Sequence, residues 1–176
     1  ERTFGKIKRK KIATPTVRRY DSKPKVYKGN NKNNLAECVL VDGYNIIFAW
    51  DELKKIAVEN LDAARRRLMD ILCNYAGYRK CVPILVFDAY RVKGAGREQE
   101  TWHNLHVIYT REAETADMFI ERATHELAKN HRVRVVSSDG AEQIIILGNG
   151  ALRVSARAFE REVRAVEAEI REFLDQ

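Results

Sequence analysis

Four aspartates stand where this chain's apolar runs give out. Asp42 closes the run CVLV (38–41), Asp88 follows VPILVF (82–87), and Asp139 comes just after VRVVS (133–137). A fourth, Asp117, lies in the first turn of a helix predicted to start at Ala116. Carboxylates gathered at one rim repel one another and stay ionised at neutral pH only where a cation neutralises them. Oxygen-only ligands select a hard ion, so Mg²⁺ or Mn²⁺ is the expected cofactor, held by Asp42, Asp88, Asp117 and Asp139. An ion in such a site lowers the pKa of a bound water, holds a phosphate and offsets charge on a departing oxygen, which suits phosphodiester hydrolysis. Asn45, one helical turn from Asp42, carries a carboxamide that can orient the water or the phosphate.

Taken one at a time, the same residues have plainer explanations. Asp42-Gly43 and Asp139-Gly140 are turn dipeptides, Asp139 with Glu142 has capping-box spacing, and Asp117 can complement a helix N-terminus. Asp88 resists this treatment, because a carboxylate directly after PILVF is partly desolvated without an obvious local donor. Other chemistries find less support. There is no glycine-rich loop ending in Lys-Ser or Lys-Thr and no nucleophile elbow. His103 and His106 have ligand-like spacing but span a loop-to-strand junction without nearby cysteines. A phosphatase nucleophile at Asp42 wants a second aspartate two positions on, where Tyr44 stands. Ile47, Phe48 and Trp50 are read as core.

Buried parallel strands are what could bring the aspartates together. CVLV, VPILVF, LHVIYT (105–110), VRVVS and the brief ALRV (151–154) are short continuous apolar runs, the pattern of strands covered on both faces. Between them, Leu61, Ala64, Leu68, Ile71, Leu72 and Tyr75 recur at helical spacing. Thr115 can cap a helix from Ala116 to about Lys129, with Met118, Phe119, Ala123 and Leu127 turned inward. AEQIIILG reads as a short helix, DAYRVKGAGREQETWHN as a loop, and Ser155 caps a last helix to about Leu174. The expected fold is α/β: a parallel sheet of about five strands with helices on both faces. Ligands of such sheets bind outside the carboxyl ends of the strands, where the four aspartates lie.

The 176 residues, 45% of them hydrophobic and 32% charged, suffice for one well-buried domain. The net charge of +7 is placed unevenly: residues 1–37 hold twelve Lys and Arg against three acids, and the other 139 hold 20 against 22. Residues 1–37 are therefore read as a basic linker or arm and 38–176 as the folded domain. Lys8, Arg9, Lys10 and Lys11 can meet nucleic acid phosphates, with Tyr20 and Tyr27 available to stack on bases; the plain alternative is a solvated tether. No apolar run approaches the roughly 20 residues of a membrane span. Cys38, Cys73 and Cys81, odd in number and set in or beside apolar segments, favour a reducing cytoplasm. The chain opens on Glu1 rather than methionine and is expected to be a piece of a longer protein.

The blocks VDGYNIIFAWDEL, VFDAYRVKG, ETADMFIERA, SSDGAEQIII and GNGALRVSARAFEREV resemble, in order and spacing, the YacP-like branch of the NYN domains, which are similar to PIN-type nucleases. The resemblance covers about residues 38–174. It implies a Rossmann-like fold, a metal-dependent endoribonuclease site on Asp42, Asp88, Asp117 and Asp139 with Asn45 as polar helper, and messenger RNA on the ribosome as substrate. Met118, Phe119 and Phe159 depart from the family's usual residues without removing a carboxylate. ERTFGKIKRKK resembles the end of a ribosome-protection GTPase of the elongation factor G class, which implies an upstream GTPase region in the same polypeptide. The expected RNA contacts are the arm, Arg91, Lys93, Arg97, Arg153 and Arg157. The rival expectation is a non-catalytic RNA- or ribosome-binding module on the same fold.

Overall fold

Apolar runs that periodicity marks as buried become neighbours in one sheet. A computed structural model of the chain describes residues 35–88, 99–137, 145–146 and 150–176. Its strands are β1 (Glu37–Asp42), β2 (Val82–Phe87), β3 (Gln99–Trp102), β4 (Leu105–Tyr109), β5 (Arg132–Ser137), β6 (Ile145–Ile146) and β7 (Leu152–Ser155). The helices are α1 (Gly43–Ala49), α2 (Asp51–Glu59), α3 (Leu61–Arg79), α4 (Ala116–Leu127) and α5 (Ala156–Leu174). The sheet has seven strands in the order β3-β4-β2-β1-β5-β7-β6. Its five central strands are parallel, and β3 and β6 run antiparallel at the two edges. From β1 the chain builds outward through β2 to β4, then crosses back over the sheet with α4 to enter β5 on the other side of β1. That reversal opens a crevice at the carboxyl end of β1.

The two faces are covered unequally. Val39 and Val41 of β1, Leu85 and Phe87 of β2 and Val107 of β4 pack into the larger core with Trp50, Leu68, Leu72, Tyr75, Phe159 and Val163 from the helical layer. Leu40, Val86, Val133 and Val135 point the other way and meet Ala116 and Ile120 of α4. The alternation follows from the two-residue period of the strands. Arg134 is the exception on β5: it enters the helical side and pairs with Glu162 of α5 at 2.6 and 3.2 Å, while the Tyr75 hydroxyl donates to the same carboxylate at 2.7 Å. With both partners satisfied, a buried guanidinium is tolerated there.

Several expectations need correction. The stretch read as a loop from Asp88 to Asn104 contains β3, whose residues alternate between exposed and half-buried as an edge strand does. Within AEQIIILG, Ile145–Ile146 pair antiparallel with β7 rather than forming a helix, and the rest of that segment lies outside the described residues. Three successive isoleucines suit an edge strand, and so short an apolar run carries no period that separates strand from helix. Phe48, expected in the core, is 44% exposed, and Met118, expected to turn inward, is 56% exposed. Ile120 takes the inward position instead. All three cysteines are free thiols. No helix among the described residues is long and apolar enough to cross a membrane.

Candidate active site

Asp42 ends β1 and caps α1. Its Oδ1 accepts from the backbone N–H of Asn45 at 3.2 Å and its Oδ2 from the Asn45 side-chain amide at 2.7 Å. Aspartate is among the favoured N-cap residues because its carboxylate satisfies a helix donor that otherwise lacks a partner. The strand is buried to its last residue, so the carboxylate is only 6% exposed. Parallel register sets Val86 beside Asp42, and Asp88 follows two residues later. On its other side β1 pairs with β5 through Val41 and Val136, one residue before the end of each strand.

Asp88, for which the sequence offered no local donor, finds one 28 positions away. Its Oδ1 accepts from the N–H of Ala116 at 2.7 Å, in the first turn of α4. Thr115 caps the same helix, accepting from Met118 N at 3.3 Å. The two caps fix the N-terminus of α4 against the end of β2 and leave Asp117 exposed in its first turn. Asp42, Asn45, Asp88 and Asp117 thereby line one small cleft of about 160 Å³, together with Tyr44, Phe48, Thr115 and Ala116.

The electrostatics of the cleft follow from this crowding. Burial pushes the Asp42 carboxyl up to about 6; the amide of Asn45 pulls it down, and the charges of Asp117 and Asp88 push it up again. A carboxylate kept reluctantly ionised beside two others favours a cation. Asn45 donates to both carboxylate oxygens and the backbone of Tyr44 also hydrogen-bonds to the group. Among the described residues no three Asp, Glu, His or Cys side chains form a cluster that could grip an ion directly. The donors nonetheless fit Mg²⁺, which keeps several of its waters and takes only one or two carboxylates directly.

The other expected site residues divide. Asp139, Arg91, Lys93, Arg97, Lys8, Arg9, Lys10 and Lys11 lie outside the described residues. Arg153 donates from Nε to Ser137 Oγ at 2.9 Å and lines a groove of about 910 Å³ that it shares with Asp117. Arg157 is exposed in the first turn of α5, at the sheet edge where β7 ends. Asn45 donates from its carboxamide nitrogen to Asp42 Oδ2, a contact that positions the carboxylate. Among the described residues, His103 and His106 belong to no ligand cluster.

Sequence reasoning passed over Phe48, Thr115 as a lining residue, and Gly43. A helical reading of NIIFAW would have turned Ile46, Ile47 and Trp50 inward and Phe48 out, since 100° per residue separates them. The sequence marks Gly43 only as half of a turn dipeptide, and nothing in it marks the close approach of Phe87. A Cβ there would sit 2.2 Å from Cε1 of Phe87.

Comparison with known proteins bears on this geometry. The profile of the YacP-like NYN domain matches residues 39–176. The Bacillus subtilis (strain 168) protein "Uncharacterized protein YacP" is 42% identical over 135 residues, spanning 76% of this chain and 79% of its own. The crystal structure of Rae1 (YacP) from Bacillus subtilis superposes with a TM-score of 0.66 at 40% identity, covering 78% of this chain and 79% of that one. A crystal structure of a point variant of the same protein gives 0.63 at 38% identity, with 77% and 79% covered.

Proposed function

Because this chain belongs to the YacP-like NYN domain family, a PIN-like nuclease family, we propose that it is a metal-dependent endoribonuclease acting on messenger RNA in association with the ribosome. The observation that carries the reading is the buried Asp42 carboxylate, its pKa raised, sharing one cleft with Asp88 and Asp117. Asp42 and Asp88 are the residues to hold Mg²⁺ or Mn²⁺, with Asp117 and Asp139 completing the set directly or through water. When bound, the ion supplies a water of lowered pKa and positive charge facing the phosphate. Asn45 keeps Asp42 aimed and prevents it from turning away. Tyr44 and Phe48 also line the cleft. Arg153, Arg157, Arg91, Lys93 and Arg97 are the backbone phosphate contacts of this reading.

The test is cleavage of labelled single-stranded RNA, free and on translating ribosomes, with Mg²⁺, with Mn²⁺ and with chelator. Cleavage is expected with either ion and abolished by chelator. Cleavage untouched by chelator would refute the metal role, and none in any lane would favour the second reading, an RNA- or ribosome-binding module.

The basic arm belongs to the same proposal as a phosphate contact. Replacing Lys8, Arg9, Lys10 and Lys11 with alanine is expected to reduce the slope of log affinity against log salt by about three, since each lost phosphate contact removes roughly 0.7–0.9. An unchanged slope would make the arm a tether.

A further inference from the structure

The acidic cleft is too small for everything a ribonuclease must hold. Its 160 Å³ takes a phosphate and an ion, whereas ligands of nucleotide size occupy clefts of about 300–1,000 Å³. Two spaces of that size flank it on opposite sides of α4. One, of about 910 Å³, lies between α4 and the β5–β7 side of the sheet and reaches Asp117, which also lines the acidic cleft. The other, of about 520 Å³, lies between α4 and the end of β4. Met118 lines both. It follows Asp117 directly in the chain and leaves a large apolar side chain 56% exposed on the crest between the two grooves.

A second observation concerns the wall of the larger groove. Thr124, one of its lining residues, is 2% exposed, and its hydroxyl has no hydrogen-bond partner among the described residues. A buried hydroxyl left unpaired is destabilising, and a polar ligand seated there relieves it. The groove also carries Asp117, Glu121 and Glu126 beside Arg122, His125 and Arg153. That mixture offers acceptors to the amino groups of a base and a ribose hydroxyl, and cations to the adjoining phosphate.

We propose that α4 parts the RNA strand. With the scissile phosphate at the acidic cleft, the nucleotide on one side lies in the groove against β5 and β7, its neighbour lies in the groove against β4, and Met118 is the wedge between their bases. This rests on the nuclease reading above and adds to it an apolar side chain, Met118, that sets the two nucleotides apart. Bases of a single strand unstack readily around an apolar side chain, whereas a duplex must first give up its pairing.

The experiment uses single-stranded RNA carrying 2-aminopurine at successive positions, whose fluorescence rises when the base is unstacked. Binding is measured with the full chain carrying Asp42→Asn, so that nothing is cut, and cleavage with the otherwise unaltered chain. Two adjacent positions are expected to brighten on binding. Adding Met118→Ala should remove most of that signal and lower kcat/KM by about tenfold, the scale of one lost base contact, without changing Tm. Thr124→Val should raise Tm while weakening RNA binding, a pairing of effects that a purely structural threonine does not produce. Equal brightening and equal cleavage in Met118→Ala, RNA binding unchanged in Thr124→Val, or duplex RNA cut as fast as single strands would each overturn the proposal. Brightening of two adjacent bases that Met118→Ala removes, with no cleavage by any form, would uphold the parted strand and sink only the nuclease reading.

Discussion

Asp42→Asn is expected to abolish cleavage and, in metal-free buffer at pH 7, to make the protein more stable. The loss of activity follows from removing the charge at the centre of the cleft: interactions with an ion or a phosphate amount to several kcal/mol, so a fall of at least about a thousandfold is expected. The gain in stability follows from the direction of the Asp42 shift. An acid whose pKa is higher in the folded than in the unfolded chain holds its proton more tightly when folded. Its favourable contribution is complete below the unfolded value near 4 and is lost as pH rises through about 6. At pH 7 the ionised group therefore opposes folding by an amount on the order of 2–3 kcal/mol.

Asparagine removes that opposition and remains a good N-cap, and Asn45 can turn its amide over to face the new one. Allowing for this rearrangement, the net gain should be about 1–2 kcal/mol, a rise in Tm of roughly 3–6 °C. The gap between variant and parent should close as pH falls from 7 to about 4. Mg²⁺ or Mn²⁺ should raise the parent's Tm by mass action and leave the variant's unchanged. Cleavage by the parent should rise with pH along a limb at or below about 6, moving lower as ion concentration rises, because ion and proton compete for the same carboxylate. A variant less stable than its parent at every pH would show that the ionised Asp42 does not oppose folding.

What the sequence disclosed here was local or periodic; what it withheld depended on contacts between distant segments. Strand runs such as VPILVF are legible because burial on both faces removes every polar residue, and the helices because their apolar stripes repeat. From those two facts the shared rim of Asp42, Asp88 and Asp117 follows, since parallel strands deliver their carboxyl ends to one edge. The partner of Asp88 could not be read, because Ala116 N–H becomes its donor only once α4 has crossed the sheet. Met118 was misjudged for a related reason. An apolar residue one place from the inward stripe satisfies the helical pattern nearly as well as Ile120, and only the docked helix shows which of them the sheet covers. The antiparallel edge strand β3 was missed because a strand half open to solvent, such as QETW, carries no apolar run.

Gly43→Ala is expected to cripple the protein without touching a charged group. The glycine is needed for space and not for its backbone angle, because its φ is not positive. A methyl at this position would stand 2.2, 2.6 and 2.9 Å from three ring atoms of Phe87. That ring is fully buried, with Tyr44 at 5.0 Å on one side and Tyr109 at 6.0 Å on the other, so it cannot swing aside without displacing both. The remaining course is for α1 to lift away from β2, which pulls Asn45 from Asp42 and widens the cleft. Overpacking of this kind is unfavourable by typically 1–3 kcal/mol, offset by up to about 1 kcal/mol from alanine's better helix propensity. Because the obstacle is a confined ring and not a flexible chain end, a net loss near the top of that range is expected, about 2–3 kcal/mol by urea unfolding. Cleavage should fall at least about tenfold even where the variant is fully folded, since a shift near 1 Å in a positioned group is enough. Phe87→Leu vacates the contested space, so the double variant Gly43→Ala with Phe87→Leu should lose less stability than the two single losses added together. Strict additivity would mean that the ring and the glycine do not meet, and that α1 is held against the sheet by other contacts.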